Sequence, residues 1–169
     1  AFRSCSSLKS LVIPNSVKKI HSDTYYTNDR TFGYCDNLET VVLGNGLEYI
    51  DEGIFQGCKS LESVTIGSGV KDIYSYAFAE CKSLKEIVIP KSVTKIGMSA
   101  FDSATSLSNL VFEGANDGTS NLKTIGDHAF YSDAITSIEI PNSAQTIGER
   151  AFYNNVITSL LLPNSLQSI

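Results

Sequence analysis

The sequence predicts a repeat solenoid of the α/β type. The expected form is a right-handed coil with a parallel concave sheet, short second strands and short 3₁₀ or helical turns, with little regular helix. Three observations carry this. Phenylalanines recur at Phe2, Phe32, Phe55, Phe78, Phe101, Phe130 and Phe152, at spacings of 30, 23, 23, 23, 29 and 22. Turn residues mark the same point of successive units, as Pro14-Asn15-Ser16, Gly44-Asn45-Gly46, Gly67-Ser68-Gly69, Pro90-Lys91-Ser92, Pro141-Asn142-Ser143 and Pro163-Asn164-Ser165. Just before each turn, apolar residues alternate with exposed-type residues at period two. Self-similarity at a fixed period of this length is the mark of stacked coils, in which no coil buries its own apolar set and each neighbour completes it.

The elements follow in order within the unit from Leu84 to Phe101. Glu86-Ile87-Val88-Ile89 alternates faces, as a short strand does. Pro90 ends that strand because it has no N–H to offer a ladder. Val93 and Ile96 then put two more apolar side chains inward on a second short extended stretch. Ala100-Phe101 suits a tight helical or 3₁₀ turn that brings the chain round. A period of 23 is too short for two helices and a loop, and it falls inside the 20–29 range of one leucine-rich-repeat coil. Residues 1–169 thus read as one leucine-rich-repeat solenoid domain of about seven repeats of 22–30 residues, with both ends falling inside a repeat, as in a fragment of a longer protein.

Composition sets the outer bounds. Hydrophobic residues make up 42% and charged residues 18% of the 169, enough apolar material for a packed core. A net charge of −5 gives none of the clustered positive charge that phosphates or anionic membrane surfaces require, so no nucleic-acid partner is expected. No apolar run is long enough for a membrane-spanning helix, and no direct membrane insertion is expected.

The pattern Leu-x-x-Ile-x-Ile-Pro-x-Ser-Val-x-x-Ile-Gly-x-x-Ala-Phe, with a cysteine three residues beyond the Phe in several units, resembles the BspA-like, or Treponema-type, leucine-rich repeat. The resemblance covers nearly the whole chain. It implies an exported protein displayed at the cell surface, and a role in adhesion or in binding host proteins. Two insertions depart from it, His21–Arg30 and the segment around Gly114–Ser120. The last two complete units also shorten, at Tyr131-Ser132-Asp133-Ala134 and Tyr153-Asn154-Asn155-Val156.

Candidate chemistry is sparse. Cys5, Cys35, Cys58 and Cys81 share one slot of the repeat and Ala104 fills it next, which fits a small buried side chain better than a disulfide or metal site. His21 and His128 pair with no nucleophile in any motif, and the carboxylates are scattered, so no catalytic, metal or cofactor site is expected. Asn116-Asp117-Gly118 lacks the regular oxygen spacing of a calcium loop.

The positions left free by the repeat are more informative. With Ile87 and Ile89 inward, Glu86 and Val88 face out. One outward column then reads Ser10, Thr40, Ser63, Glu86, Asn109, Ser137, Ser159, and the other Val12, Val42, Thr65, Val88, Val111, Glu139, Leu161. From these, Val12, Val42, Thr65, Glu86, Val88, Asn109, Val111, Glu139 and Leu161 are candidate binding residues, since contiguous exposed apolar surface marks interaction sites. Simple β-propensity of Val and Thr is the competing explanation. Tyr25 and Tyr26 of the first insertion are candidate anchors, or they fold back over the solenoid flank. The expected function is a non-catalytic module that binds a protein or glycan through the concave sheet and inserted loops. The alternative is a structural spacer presenting another domain. Open end coils also point to end-to-end self-association.

Overall fold

Twelve short strands run along the chain in the computed structural model, which describes residues 1–20 and 30–169. They are β1 (Ser10–Ile13), β2 (Thr40–Leu43), β3 (Tyr49–Ile50), β4 (Ser63–Thr65), β5 (Asp72–Ile73), β6 (Glu86–Ile89), β7 (Lys95–Ile96), β8 (Asn109–Phe112), β9 (Thr124–Ile125), β10 (Ser137–Glu139), β11 (Thr146–Ile147) and β12 (Ser159–Leu161). Every pairing among the described residues is parallel and joins equivalent positions of neighbouring coils. Ile87 faces Leu110, Val41 faces Val64, and Ile73 faces Ile96. This is a parallel-strand solenoid of the leucine-rich-repeat kind.

The longer strands form one face, laddered as β1-β2-β4, β6-β8 and β10-β12. The ladder loosens between β4 and β6 and again between β8 and β10, although the strands stay adjacent. The two-residue strands form a second, unbroken face in the order β3-β5-β7-β9-β11. Between the faces lies one core in which each layer repeats the last. Leu84, Ile87, Ile89, Val93, Ile96 and Phe101 are all buried, as are their counterparts in the adjoining coils. The phenylalanine rings from Phe2 to Phe152 stack in series, with centroids 5.0–5.7 Å apart and planes within 13° of parallel. That spacing falls in the favourable range for stacked rings.

The expected 3₁₀ or helical turns are absent among the described residues, and hydrogen bonding shows why. Around Phe55, the amides of Ile54, Gln56 and Cys58 donate to residues three back, as in a tight turn. The alternate amides of Gly53, Phe55 and Gly57 donate instead to Ser75, Ala77 and Ala79 of the next coil, each at 2.9 Å. Five of the described coils also carry two left-handed residues four apart: Gly53 and Gly57, Tyr76 and Glu80, Ser99 and Ser103, His128 and Ser132, Arg150 and Asn154. A reversal of backbone hand at that interval stops a helix from propagating. The segment is half turn, half inter-coil ladder. No helix among the described residues is long and apolar enough to cross a membrane.

The turn residues tie the coils together. Asn15 Oδ1 accepts from the Asn45 amide at 2.8 Å, and Asn45 Oδ1 from the Ser68 amide at 2.9 Å. Where Pro-x-Ser replaces Gly-x-Gly, the serine takes over: Ser92, Ser143 and Ser165 each donate to a carbonyl of the preceding coil at 2.7 Å. At Gly46 and Gly69 a side chain would collide with the backbone oxygens of Asn15 and Asn45, so the closest approach of the coils demands glycine there.

Candidate binding face

The strand pleat sets the outward columns. In β2, β6 and β8, buried and exposed positions alternate strictly, because one side packs on the core and the other meets solvent. Val12, Val42, Thr65, Glu86, Val88, Asn109, Val111, Glu139 and Leu161 are all exposed and all lie on this one face. Val42, Val88 and Val111 are 41–50% exposed, against 1% for an inward neighbour such as Ile87, whereas on β12 Leu160 is 51% and Leu161 69% exposed. Glu86 and Asn109 touch through a side-chain hydrogen bond of 3.4 Å between adjacent coils. Tyr25 and Tyr26, with His21, lie outside the described residues.

The second insertion flanks the same face. Gly114, with φ of 78°, turns the chain, and its carbonyl accepts from the amides of Thr119 and Ser120 at 3.1 Å. Asp117 accepts from the amide and hydroxyl of Thr119 at 2.9 and 2.6 Å, and these bonds hold its carboxyl below the usual range. Ala115 is buried beneath the loop, and the Asn116 side-chain amide lies against the Glu139 carboxylate, where its nitrogen is the only end that can donate. The loop and the loosened junction of β8 with β10 bound a depression of about 480 Å³. Asn109, Val111, Asn116, Ser137, Glu139, Ser159 and Leu161 line it, with Leu110 and Phe112 below. A smaller one of about 200 Å³ adjoins it and shares Ala115, Glu139 and Leu161.

The sequence reading missed Asn116 and the depression itself. The signal available was Glu139, a charged residue in an otherwise apolar column, next to an insertion. The last two units have no cysteine, yet the cysteine slot is filled in them as well. Counting three residues beyond each phenylalanine places Asp133 and Asn155 in that slot. Cys35, Cys58 and Cys81 donate their thiols to the carbonyls of Phe2, Phe32 and Phe55 one coil back at 3.2–3.4 Å, and Asn155 Nδ2 donates to Phe130 at 2.7 Å. Burial pushes the Cys58 thiol up to about 12 and holds Cys35 and Cys81 above the ordinary range. These thiols are protonated donors, not nucleophiles. His128 rests half-buried against Tyr131, ring centroids 5.2 Å apart.

The repeat geometry agrees with what the sequence matches. Residues 26–121 and 117–169 match the BspA-type leucine-rich-repeat region in six copies. The chain belongs to the BspA-type leucine-rich-repeat family. A leucine-rich cell surface protein of Faecalibacterium prausnitzii shares its fold, with a TM-score of 0.72 and 26% identity over 95% of this chain and 39% of that one. The pneumococcal vaccine antigen PcpA gives a TM-score of 0.71 at 24% identity, over 91% of this chain and 40% of its own. The Treponema pallidum leucine-rich-repeat protein gives 0.55 at 21%, over 83% of this chain and 72% of its own. The chain thus spans about two fifths of the length of the first two of these proteins. No curated protein matches it.

Proposed function

We propose that the outward face of the longer strands is a non-catalytic binding surface for a protein or glycan, displayed outside the cell as part of an adhesive protein. The observation that carries this is the run Val42, Val88 and Val111, 41–50% exposed on strands whose alternate residues are buried, continued by the exposed Val12 and Leu161 at either end. A run of apolar side chains held in register and facing solvent is the kind of surface that partners cover. The similar Faecalibacterium prausnitzii protein, named as a leucine-rich cell surface protein, supports the location. We take the coil to be right-handed, as parallel crossovers are in about 98% of cases, with the longer strands on its concave side. The acidic balance of −5 disfavours nucleic acid. The thiols bonded to backbone carbonyls, and His128 packed against Tyr131, support a non-catalytic reading. Continuous stacking of the phenylalanines also favours a rigid spacer that holds another domain away from the surface. An array of extracellular-matrix proteins and glycans separates the two. The binding reading predicts saturable capture of the 169-residue chain by at least one spot, and a blank array contradicts it.

A further inference from the structure

We propose that the depression between β8, β10 and the Gly114–Ser120 loop is a pocket for a single cationic side chain, lysine or arginine, carried on a partner protein. The inference rests on the binding-face reading and names where on that face, and for what chemistry, recognition is concentrated.

Register supplies the first argument. Glu139 pairs with Leu161 of the next coil, and Val111 holds the same column on the coil before, with β8 adjacent to β10. The carboxylate is flanked on one side by Leu161, at a strand spacing of about 4.8 Å, and on the other by Val111 across the loosened junction, both exposed aliphatic side chains. A lysine or arginine has the matching profile, an alkyl stem ending in a charge. The stem covers Val111 or Leu161 while the head reaches Glu139.

Charge supplies the second. The two outward columns hold two carboxylates, Glu86 and Glu139, and no lysine or arginine. The face therefore carries no internal cation to neutralise Glu139, and its charge is complementary to a basic group only.

Construction supplies the third. Asn116 donates to Glu139 from the loop, which orients the carboxylate over the depression. Asn109, Ser137 and Ser159 line the same depression and supply side-chain oxygens that accept the remaining ammonium or guanidinium protons. The volume, about 480 Å³, accommodates one long side chain and the backbone that carries it.

The test is an NMR titration of the 169-residue chain with N-acetyl-lysine methylamide, against N-acetyl-norleucine methylamide as the uncharged isostere. The pocket reading predicts saturable amide shifts confined to residues around Asn109, Val111, Asn116, Glu139 and Leu161. It predicts at least a tenfold weaker response in Glu139→Gln, at an unchanged melting temperature, and weakening by added salt. Asn116→Ala should weaken binding less than Glu139→Gln. Equal shifts from norleucine, a Glu139→Gln titration like the wild type, or no shifts at all would overturn the assignment. Array capture that depends on Val42 and Val88, beside a silent titration, overturns the pocket and leaves the binding face standing. A blank array with a silent titration removes both.

Discussion

Asp133 stands three residues beyond Phe130, in the slot that Cys58 and Cys81 hold beyond Phe55 and Phe78. It is buried, and neither carboxyl oxygen has a hydrogen-bond partner. Burial, with a smaller contribution from nearby Asp102, pushes it up to about 9. Thiols and the Asn155 amide fill this slot as donors to the phenylalanine carbonyl one coil back, and only a protonated carboxyl can do the same. The sign of the pH effect follows. An unfolded aspartate loses its proton near about 3.9, whereas the folded one keeps it to about 9, so the folded state binds the extra proton across that window. Stability from this group is complete below about pH 4 and falls as pH rises toward 9. Asp133→Asn, which copies Asn155, should melt above the wild type at pH 8 by the equivalent of about 5 kcal/mol, with the gap closing toward pH 4. Thermal melts across that range check it, and a pH-independent gap would count against the protonated slot. The slot was legible at the cysteines because they repeat the same residue. It was hidden at Asp133 because an acid there reads as surface until the register is counted.

At the scale of the element, the Phe-bearing turn departs furthest from the sequence expectation. Ala100-Phe101 is compatible with a helical turn by local preference. Inter-coil hydrogen bonds override that preference by drawing every second amide to the neighbouring coil. The cost is a left-handed conformation at ten non-glycine residues among those described, whereas Gly53 and Gly57 meet it without strain. Ser103→Gly should therefore stabilise the chain by about 0.5–1 kcal/mol. Gly57→Ala should destabilise it by more than about 1 kcal/mol, because φ there is 72° and the added methyl presses on the Tyr34 ring. Chemical denaturation of both variants reads the two signs. The strands, by contrast, were legible almost residue by residue. Their period-two pattern and the Pro or Gly punctuation encode a pleat and its end directly. The depression beside Glu139 was not legible, because it arises from a loop meeting a loosened ladder across coils.

For the molecule as a whole, periodicity specified the architecture and left the function to the positions it does not constrain. The outermost coils of the 169-residue chain expose apolar groups, with Phe2 54% and Ile169 77% exposed. We expect these faces to pair end to end, so light scattering should show mass rising with concentration. A constant monomer mass would contradict that. The inward columns are explained by stacking, and the outward columns have no role in it, so the two should separate experimentally. The most direct measurement pairs thermal unfolding with array binding for a triple variant, Val42→Glu, Val88→Glu and Val111→Glu. The account predicts a stability change within about 0.5 kcal/mol per site, as for exposed positions, together with loss of partner capture. Capture that persists unchanged in the folded triple variant would contradict the claim that this face binds.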